Sequence, residues 1–343
     1  MKNNKKENLL PSVSVIMPIR NEENYIQDSL KCLTKQTYPR KQMEILVIDG
    51  MSEDKTRKII KQCQILNTVY CIRLLDNPKL QRVPGLNIGI KNANGELIIR
   101  IDARTIVPQD YIEKCVKTLL ETGADNVGGI QKPITTTSTQ EAIGLAMSHP
   151  FGVGDAQFRL GKKSGYVDSV YLGCFKKEVF QKVGLFDENA PVISEDSDIN
   201  YRIRKSGGKV YLNKNIIAYY YPRDNLSGLW KLYFRYGGAR AGNFYKHKTL
   251  RLRQLVPPSF LVTVILLMIL SLITLLFLKI LGTILMIYAL ANIVFSFFLA
   301  IKNKRISLFH KLLIIFPCMH FAWALGFLKR LLQGPNYKKN WQY

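Results

Sequence analysis

Between Ser259 and Leu278 the chain reads SFLVTVILLMILSLITLLFL without one charged side chain, and after Lys279 a second uncharged stretch runs from Ile280 to Ile301. Each is long enough to cross a hydrocarbon core of roughly 30 Å as a helix. No water-soluble core of ordinary size absorbs two such segments side by side, so the C-terminal quarter is read as a membrane region, residues 257–330. A further apolar stretch within 308–328 is interrupted by Pro317 and His320, and it spans, re-enters or lies at the interface. The mean hydropathy of the whole chain is near zero only because this region averages against a polar remainder.

Orientation follows from the basic residues. The KNKR run at Lys302–Arg305 and the group Arg235, Arg240, Lys246, Lys248, Arg251 and Arg253 flank the two long stretches and belong on the cytoplasmic side. The first two spans therefore form a hairpin. A third crossing would carry Lys329, Arg330, Lys338 and Lys339 outside, against the same rule. The opening MKNNKKENLL lacks the apolar core of a signal peptide, so the N-terminal part is expected to stay where it was made. These features describe a multi-pass protein of the cell membrane with its main domain in the cytoplasm.

A formal net charge of +24 admits nucleic acid, acidic lipid or small anionic substrates as partners. No zinc knuckle, helix-turn-helix pattern or aromatic RNA-binding signature accompanies the charge, so nucleic acid is set aside. Membrane lipid is the simpler partner, because each basic residue near an acidic surface is attracted by about 1 kcal/mol. The segment 226–256, LSGLWKLYFRYGGARAGNFYKHKTLRLRQLV, mixes aromatic with basic side chains and suits an amphipathic helix in the headgroup layer. The six cysteines form no CxxC pair and the four histidines show no ligand spacing.

Residues 12–225, after a basic tail at 1–11, alternate strand and helix patterns. VSVIMPI (Val13–Ile19), EILVIDG (Glu44–Gly50), YCIRLL (Tyr70–Leu75) and ELIIRID (Glu96–Asp102) read as strands. Helices are expected after Asn21 and after Ser52, each a candidate N-cap, around Gly85–Asn92, and after Pro108. Near-continuous apolar strands separated by helices predict an α/β fold with a parallel sheet covered on both faces. Ligands bind such sheets beyond the carboxyl ends of the strands. Strand one ends in PIRNEE, strand two in Asp49 and the fourth in Asp102. A single carboxylate there is ordinarily a turn residue, but three polar clusters on one sheet edge point to a nucleotide site. It carries no Rossmann fingerprint: GVGDAQ (Gly152–Gln157) lacks the last glycine and follows no strand. Further on, SEDSD places Glu195, Asp196 and Asp198 before a helix that ends at Gly207, either as a helix-dipole complement or as a base.

Together VSVIMPIRNEE, ILVIDGMSEDKT, LNIGIKNANGELIIRIDA and SEDSDINYRIRKSGG resemble glycosyltransferase family 2, inverting enzymes of the nucleotide-diphosphosugar transferase fold. YYYPR (Tyr219–Arg223), FRYG (Phe234–Gly237) and the C-terminal spans resemble the membrane-anchored transferases of succinoglycan-type exopolysaccharide assembly. The resemblance implies a nucleotide-sugar pocket, for a UDP-sugar, lined by Pro18, Arg20, Glu22, Asp49, Ser52, Arg82 and Asn87. It places Asp102 at the diphosphate as the ligand of a divalent metal, Mg²⁺ or Mn²⁺. Asp196, beside Glu195, becomes the base that takes a proton from the hydroxyl of a lipid-linked or oligosaccharide acceptor. Arg235 and Tyr236 fall where the family contacts the acceptor or diphosphate, with Leu232 in place of its glutamine. Arg104 stands where the family's second metal carboxylate is found, and a guanidinium has no lone pair to give. It either adds a bidentate contact to phosphate beside the metal, replaces the metal as counter-charge, or pairs with Asp102 as a surface charge. These departures leave one rival of another class: a nucleotide-sugar binder or scaffold without turnover.

Overall fold

The computed structural model describes residues 10–66, 71–189 and 195–335. The first half of the α/β region contains β1 (Val13–Ile19), α1 (Ile26–Leu33), β2 (Met43–Asp49), α2 (Thr56–Leu66), β3 (Cys71–Asp76), α3 (Arg82–Asn92) and β4 (Leu97–Arg100). The second contains β5 (Thr105–Ile106), α4 (Tyr111–Thr122), β6 (Asn126–Pro133), α5 (Ser138–Ala146), α6 (Pro150–Val153), α7 (Gln157–Leu160), β7 (Gly165–Tyr166), β8 (Tyr171–Lys176), α8 (Glu178–Val183), α9 (Glu195–Lys205) and β9 (Val210–Tyr220). Four long helices follow: α10 (Leu226–His247), α11 (Leu252–Leu270), α12 (Leu275–Lys302) and α13 (Phe309–Leu332).

The strands form one sheet in the order β3-β2-β1-β4-β8-β6-β9-β5, with β7 on β9. Every residue of β1 and β2 is buried, and the two-residue period of a strand divides them between two cores. Val15, Met17, Ile45 and Val47 face one core with Leu30, Ile60 and Ile112. Ile16, Leu46 and Ile48 face the other with Val83, Leu86 and Ile199. The expected parallel pairing is found in β1, β2, β3 and β4. Beyond β4 the sheet is mixed, because β8 runs antiparallel to both β4 and β6.

The helix starts differ from the sequence expectation. Asn21 does not cap α1, which begins at Ile26 behind Tyr25. Ser52 does not cap α2 either; Asp54 accepts from the Thr56 amide at 2.9 Å there. Asn21 and Ser52 serve the loops instead, as described below. Tyr70 and most of the terminal tails fall outside the described residues.

All three C-terminal helices, counting α13 with the turn before it, are long and apolar enough to cross a membrane. The first break falls at Ser271–Thr274, not at Lys279, which lies inside α12. Thr274 accepts from the Leu276 amide and starts α12. The segment expected as an interfacial helix is largely α10, and it is docked along α13. Gly237 and Gly326 mark the crossing: a Cβ on Gly237 would overlap the Trp323 carbonyl, and one on Gly326 the Phe234 carbonyl. A third core joins Ile143 and Ala146 of α5, Tyr220, Leu229 and Tyr233 to Leu299, Phe316 and Met319 of α12 and α13.

Candidate active site

Parallel register brings Ile19, Asp49 and Asp76 level at the carboxyl edge of β1, β2 and β3. The loops that leave this edge are fastened to each other. The Asn21 amide donates to Ser52 Oγ at 2.9 Å and the Glu53 amide to Asn21 Oδ1 at 2.9 Å. The Glu22 amide donates to Thr56 Oγ1 and the Glu23 amide to Asp54 Oδ2. Asp49 is wholly buried at the base of this clasp, where it accepts from the Ser52 hydroxyl at 2.5 Å and from Arg57 Nη1 at 2.7 Å. Arg57 also reaches Asp76 at 2.8 Å. Arg20 lies 4.0 Å from Glu53, and Pro18 occupies β1 opposite Ile48.

At the end of β4 the chain buries a knot of charge. Arg100, with a side chain 3% exposed, donates through Nε to Asp102 Oδ1 at 2.9 Å and through Nη2 to Asp102 Oδ2 at 3.2 Å. Its Nη1 donates to Asp196 Oδ1 at 2.6 Å, and Nη2 also donates to Glu195 Oε1 at 3.0 Å. Arg82, the first residue of α3, approaches Glu195 Oε1 at 2.6 Å and Asp102 Oδ2 at 3.8 Å. Three carboxylates from β4 and α9 thus share two guanidinium groups. This arrangement follows from α9 starting where β4 ends, so that its acidic first turn meets the strand's last residues.

The carboxylates respond unequally to this environment. Burial pushes the Asp196 carboxyl up to about 7; Arg100 opposes the rise, while Glu195 and Asp102 reinforce it. For Asp102 burial acts in the same direction, but Arg100 and Arg82 outweigh it and hold the carboxyl below its ordinary value. Two acids of one type are driven apart in this way by unequal shares of the same arginines. Asp196 keeps 25% of its side chain exposed, enough for a hydroxyl to approach.

The remaining expected residues divide. Arg104 is not the partner of Asp102. Its Nε donates to Glu22 Oε2 at 2.9 Å, its guanidinium lies 4.9 Å from the Tyr25 ring centre, and its side chain is 46% exposed. Burial raises the Glu22 carboxyl, against the pull of Arg104. Asn87 stands apart from the pocket expected for it: its amide donates to the Phe186 carbonyl and accepts from the Phe186 amide, which clamps α3 to the segment before α9. Arg235 is exposed on α10, and Tyr236 packs edge-on against Tyr233 at 5.6 Å. Arg100 and Arg57 were missed by sequence reasoning. The signal for Arg100 was a cation closing the buried run LIIR; for Arg57, a helical arginine one turn beyond the loop that holds Asp49, there was none.

A divalent cation needs oxygen ligands with lone pairs to spare. Among the described residues no three His, Cys, Asp or Glu side chains are grouped to hold one. Asp102 accepts from Arg100 through both oxygens, yet each carboxylate oxygen retains a second lone pair. A cation such as Mg²⁺ that keeps its waters and binds substrate phosphates needs only one or two carboxylates, so the donor set fits with Asp102 alone.

Comparison with known proteins supplies the family. Residues 14–184 match the model of "Glycosyl transferase family 2", a match that ends before Glu195 and Asp196. The chain is 30% identical over 327 residues to dolichyl N-acetyl-alpha-D-glucosaminyl phosphate 3-beta-D-2,3-diacetamido-2,3-dideoxy-beta-D-glucuronosyltransferase of Methanococcus voltae, covering 94% of this chain and 98% of that protein. It is 30% identical over 246 residues to the succinoglycan biosynthesis protein ExoA of Rhizobium meliloti, covering 71% and 73%. Among solved structures, the mannosyltransferase PcManGT of Pyrobaculum calidifontis, in complex with GDP-Man and Mn²⁺, superposes with a TM-score of 0.63 at 19% identity, covering 94% of this chain and 88% of that one. The chain has the nucleotide-sugar transferase fold and belongs to glycosyl transferase family 2.

Proposed function

We propose that this membrane-bound glycosyltransferase moves a sugar from a nucleoside diphosphate donor, a UDP-sugar, to a lipid-linked or growing glycan acceptor of the cell surface, at the cytoplasmic face of the cell membrane. The observation that carries the reading is the sharing of the Arg100 guanidinium between Asp102, Glu195 and Asp196, where the arginines hold Asp102 low and burial pushes Asp196 up to about 7. Asp196 accepts the acceptor's proton as its oxygen attacks the anomeric carbon from the face opposite the leaving diphosphate. The configuration inverts in that one displacement. Glu195 and Arg100 position Asp196. Asp49, Ser52 and the clasped loops receive the nucleoside, where an unmatched buried N–H would cost on the order of 1–3 kcal/mol. Asp102 would hold a Mg²⁺ or Mn²⁺ ion, which when bound neutralises charge on the departing diphosphate. Arg82 remains beside Asp102 on the same side.

The test is hydrolysis of a panel of nucleotide sugars by the full-length protein in detergent, with and without Mg²⁺, Mn²⁺ or chelator. Turnover of one donor, abolished by chelation, supports both the activity and the place of the cation. Turnover indifferent to chelation makes the arginines the diphosphate's only counter-charge. Donor bound but never turned over, with or without acceptor lipid extract, and unaffected by Asp196→Asn, would leave a binder or scaffold.

A further inference from the structure

Arg159 is a cation that the chemistry above does not use. It sits on the short helix α7, half-buried, and the ionisable groups around it are phenols: Tyr220, Tyr236 and Tyr233. Its Nη1 donates to Tyr220 Oη at 3.3 Å, and its guanidinium lies 5.7 Å from that ring's centre and 5.5 Å from the ring of Phe158. Among the described residues no carboxylate lies within ion-pair distance of it. Arg82 and Arg100, by contrast, are met by three carboxylates. A guanidinium offers five N–H donors in a planar fork that matches phosphate, and among the described residues most of the donors of Arg159 have no acceptor.

Its place in the fold says which phosphate. On one side Phe158 stacks on Tyr171 at 6.4 Å, and the Tyr171 phenol lies in the field of Asp102 and Asp196, the proposed base. On the other side Tyr220 and Tyr233 belong to the core shared with α12 and α13, the apolar helices. Arg159 therefore stands between the reacting carboxylates and the membrane layer. The donor's diphosphate is assigned to Asp102 and to Arg82, which meets both Asp102 and Glu195 on the far side of Tyr171 from Arg159.

We propose that Arg159, held between Tyr220 and Phe158, receives the phosphate of a lipid-borne acceptor and so sets the distance from the membrane at which the acceptor hydroxyl meets Asp196. This rests on the glycosyltransferase reading and names the acceptor class for it. The shared chemistry is a phosphate ester, so the experiment separates its sources. Full-length protein in detergent is treated with phenylglyoxal, and modification of Arg159 is followed by peptide mass spectrometry in the presence of farnesyl phosphate, farnesol, inorganic phosphate or UDP. Farnesyl phosphate is expected to slow modification at least tenfold, with the other three having little effect. Equal protection by inorganic phosphate would make this a free-anion site, and equal protection by UDP would place it on the donor side; either overturns the proposal.

The affinity ratio of farnesyl phosphate to farnesol, read from quenching of tryptophan fluorescence, is then compared in Arg159→Gln and Arg159→Lys. Collapse of the ratio in the first and partial retention in the second are expected. A purely structural role would weaken both ligands equally and leave the ratio unchanged. Donor hydrolysis by the unsubstituted protein in the same preparation keeps the failures apart. Hydrolysis without phosphate preference sinks this inference alone, whereas absence of hydrolysis and of donor binding sinks the reading beneath it.

Discussion

The end of β4 and the crossing of α10 with α13 are both places where the chain brings together groups that ordinarily keep apart, and they do so by opposite means. At β4, Arg100 and Glu195 are taken out of water and, with the partly exposed Asp102, Asp196 and Arg82, held by mutual charge. At the crossing, two backbones approach until Gly237 and Gly326 leave no room for a Cβ, and shape alone holds them. The first site has a chemistry that depends on which member carries a proton. The second has none, and it fixes where the domain rests against its apolar helices. Buried charge is poor evidence for stability in itself. Its retention at β4 rather than at the crossing is what the proposed function draws on.

The contrast is broken most severely by changing one atom of the base. Asp196→Asn keeps the shape and a hydrogen-bond acceptor for Arg100 but removes the lone pair that takes the proton. Turnover should fall by about 10²–10⁴-fold, the usual contribution of a general base. Donor affinity, measured separately by calorimetry, should change little. A loss of donor binding equal to the loss of turnover would assign Asp196 to the pocket instead. Next in size is Arg100→Met, which strips the knot of its central cation. Leaving buried carboxylates unmatched costs about 3–5 kcal/mol. Thermal unfolding in detergent should show a large drop in midpoint, and a variant as stable as the parent would show that the knot is not a buried unit.

At the crossing, Gly237→Ala should cost about 1–3 kcal/mol by overpacking. The loss should appear as earlier proteolysis between α10 and α11, while donor hydrolysis by the remaining folded protein persists. If hydrolysis fell in proportion to a change in pH profile, the two regions would be coupled rather than separate.

These two sites were unequally legible in the sequence. Asp49 and Asp102 could be picked out because strand ends in such a sheet face one edge, and Glu195 and Asp196 because SEDSD opens a helix; the fold brings the last three within reach of one guanidinium. Arg100 was passed over because a strand residue is weighed by its neighbours along the chain, and two of its three partners lie on α9. Arg104 goes to Glu22 because the chain turns after Asp102, where the Ala103 carbonyl accepts from Ser29 Oγ and the next side chain is carried toward the β1 loop. Asn87 looked like a pocket residue, but the loop that claims its amide arrives from Phe186. FRYG was visible as a motif, while the cause of its glycine is a helix much later in the sequence. Hydropathy separated α12 from α13 but gave no sign that α13 is the more covered of the two. Composition is local, whereas α13 is covered by α10 and the side chains of α5 and α6 through contacts no window records: Lys311 donates to Ser138 and His320 meets the Phe151 carbonyl.

The finest test leaves both frameworks standing and moves one charge. With Asp196 titrating near 7, kcat/KM should climb as pH rises through neutrality, because the base must be ionised to act. Glu195 is 2% exposed, reinforces that high value, and draws Arg82 and Arg100 toward itself. Glu195→Gln removes the anion and releases guanidinium charge to Asp196, and both changes favour the ionised base. The acid limb should therefore shift to lower pH by about one unit, and the plateau should fall because a weaker base remains. Stability provides an independent sign. A carboxyl whose value is raised on folding binds its proton more tightly in the folded chain, so its contribution is complete below the ordinary carboxyl range and is lost as pH rises toward 7. Glu195→Gln should flatten that decline between about pH 4 and 7. An acid limb that stays in place would mean that burial alone sets the base. Glu195 would then serve only to hold the arginines, and the chemistry of the β4 knot would reduce to packing, as at the crossing of α10 and α13.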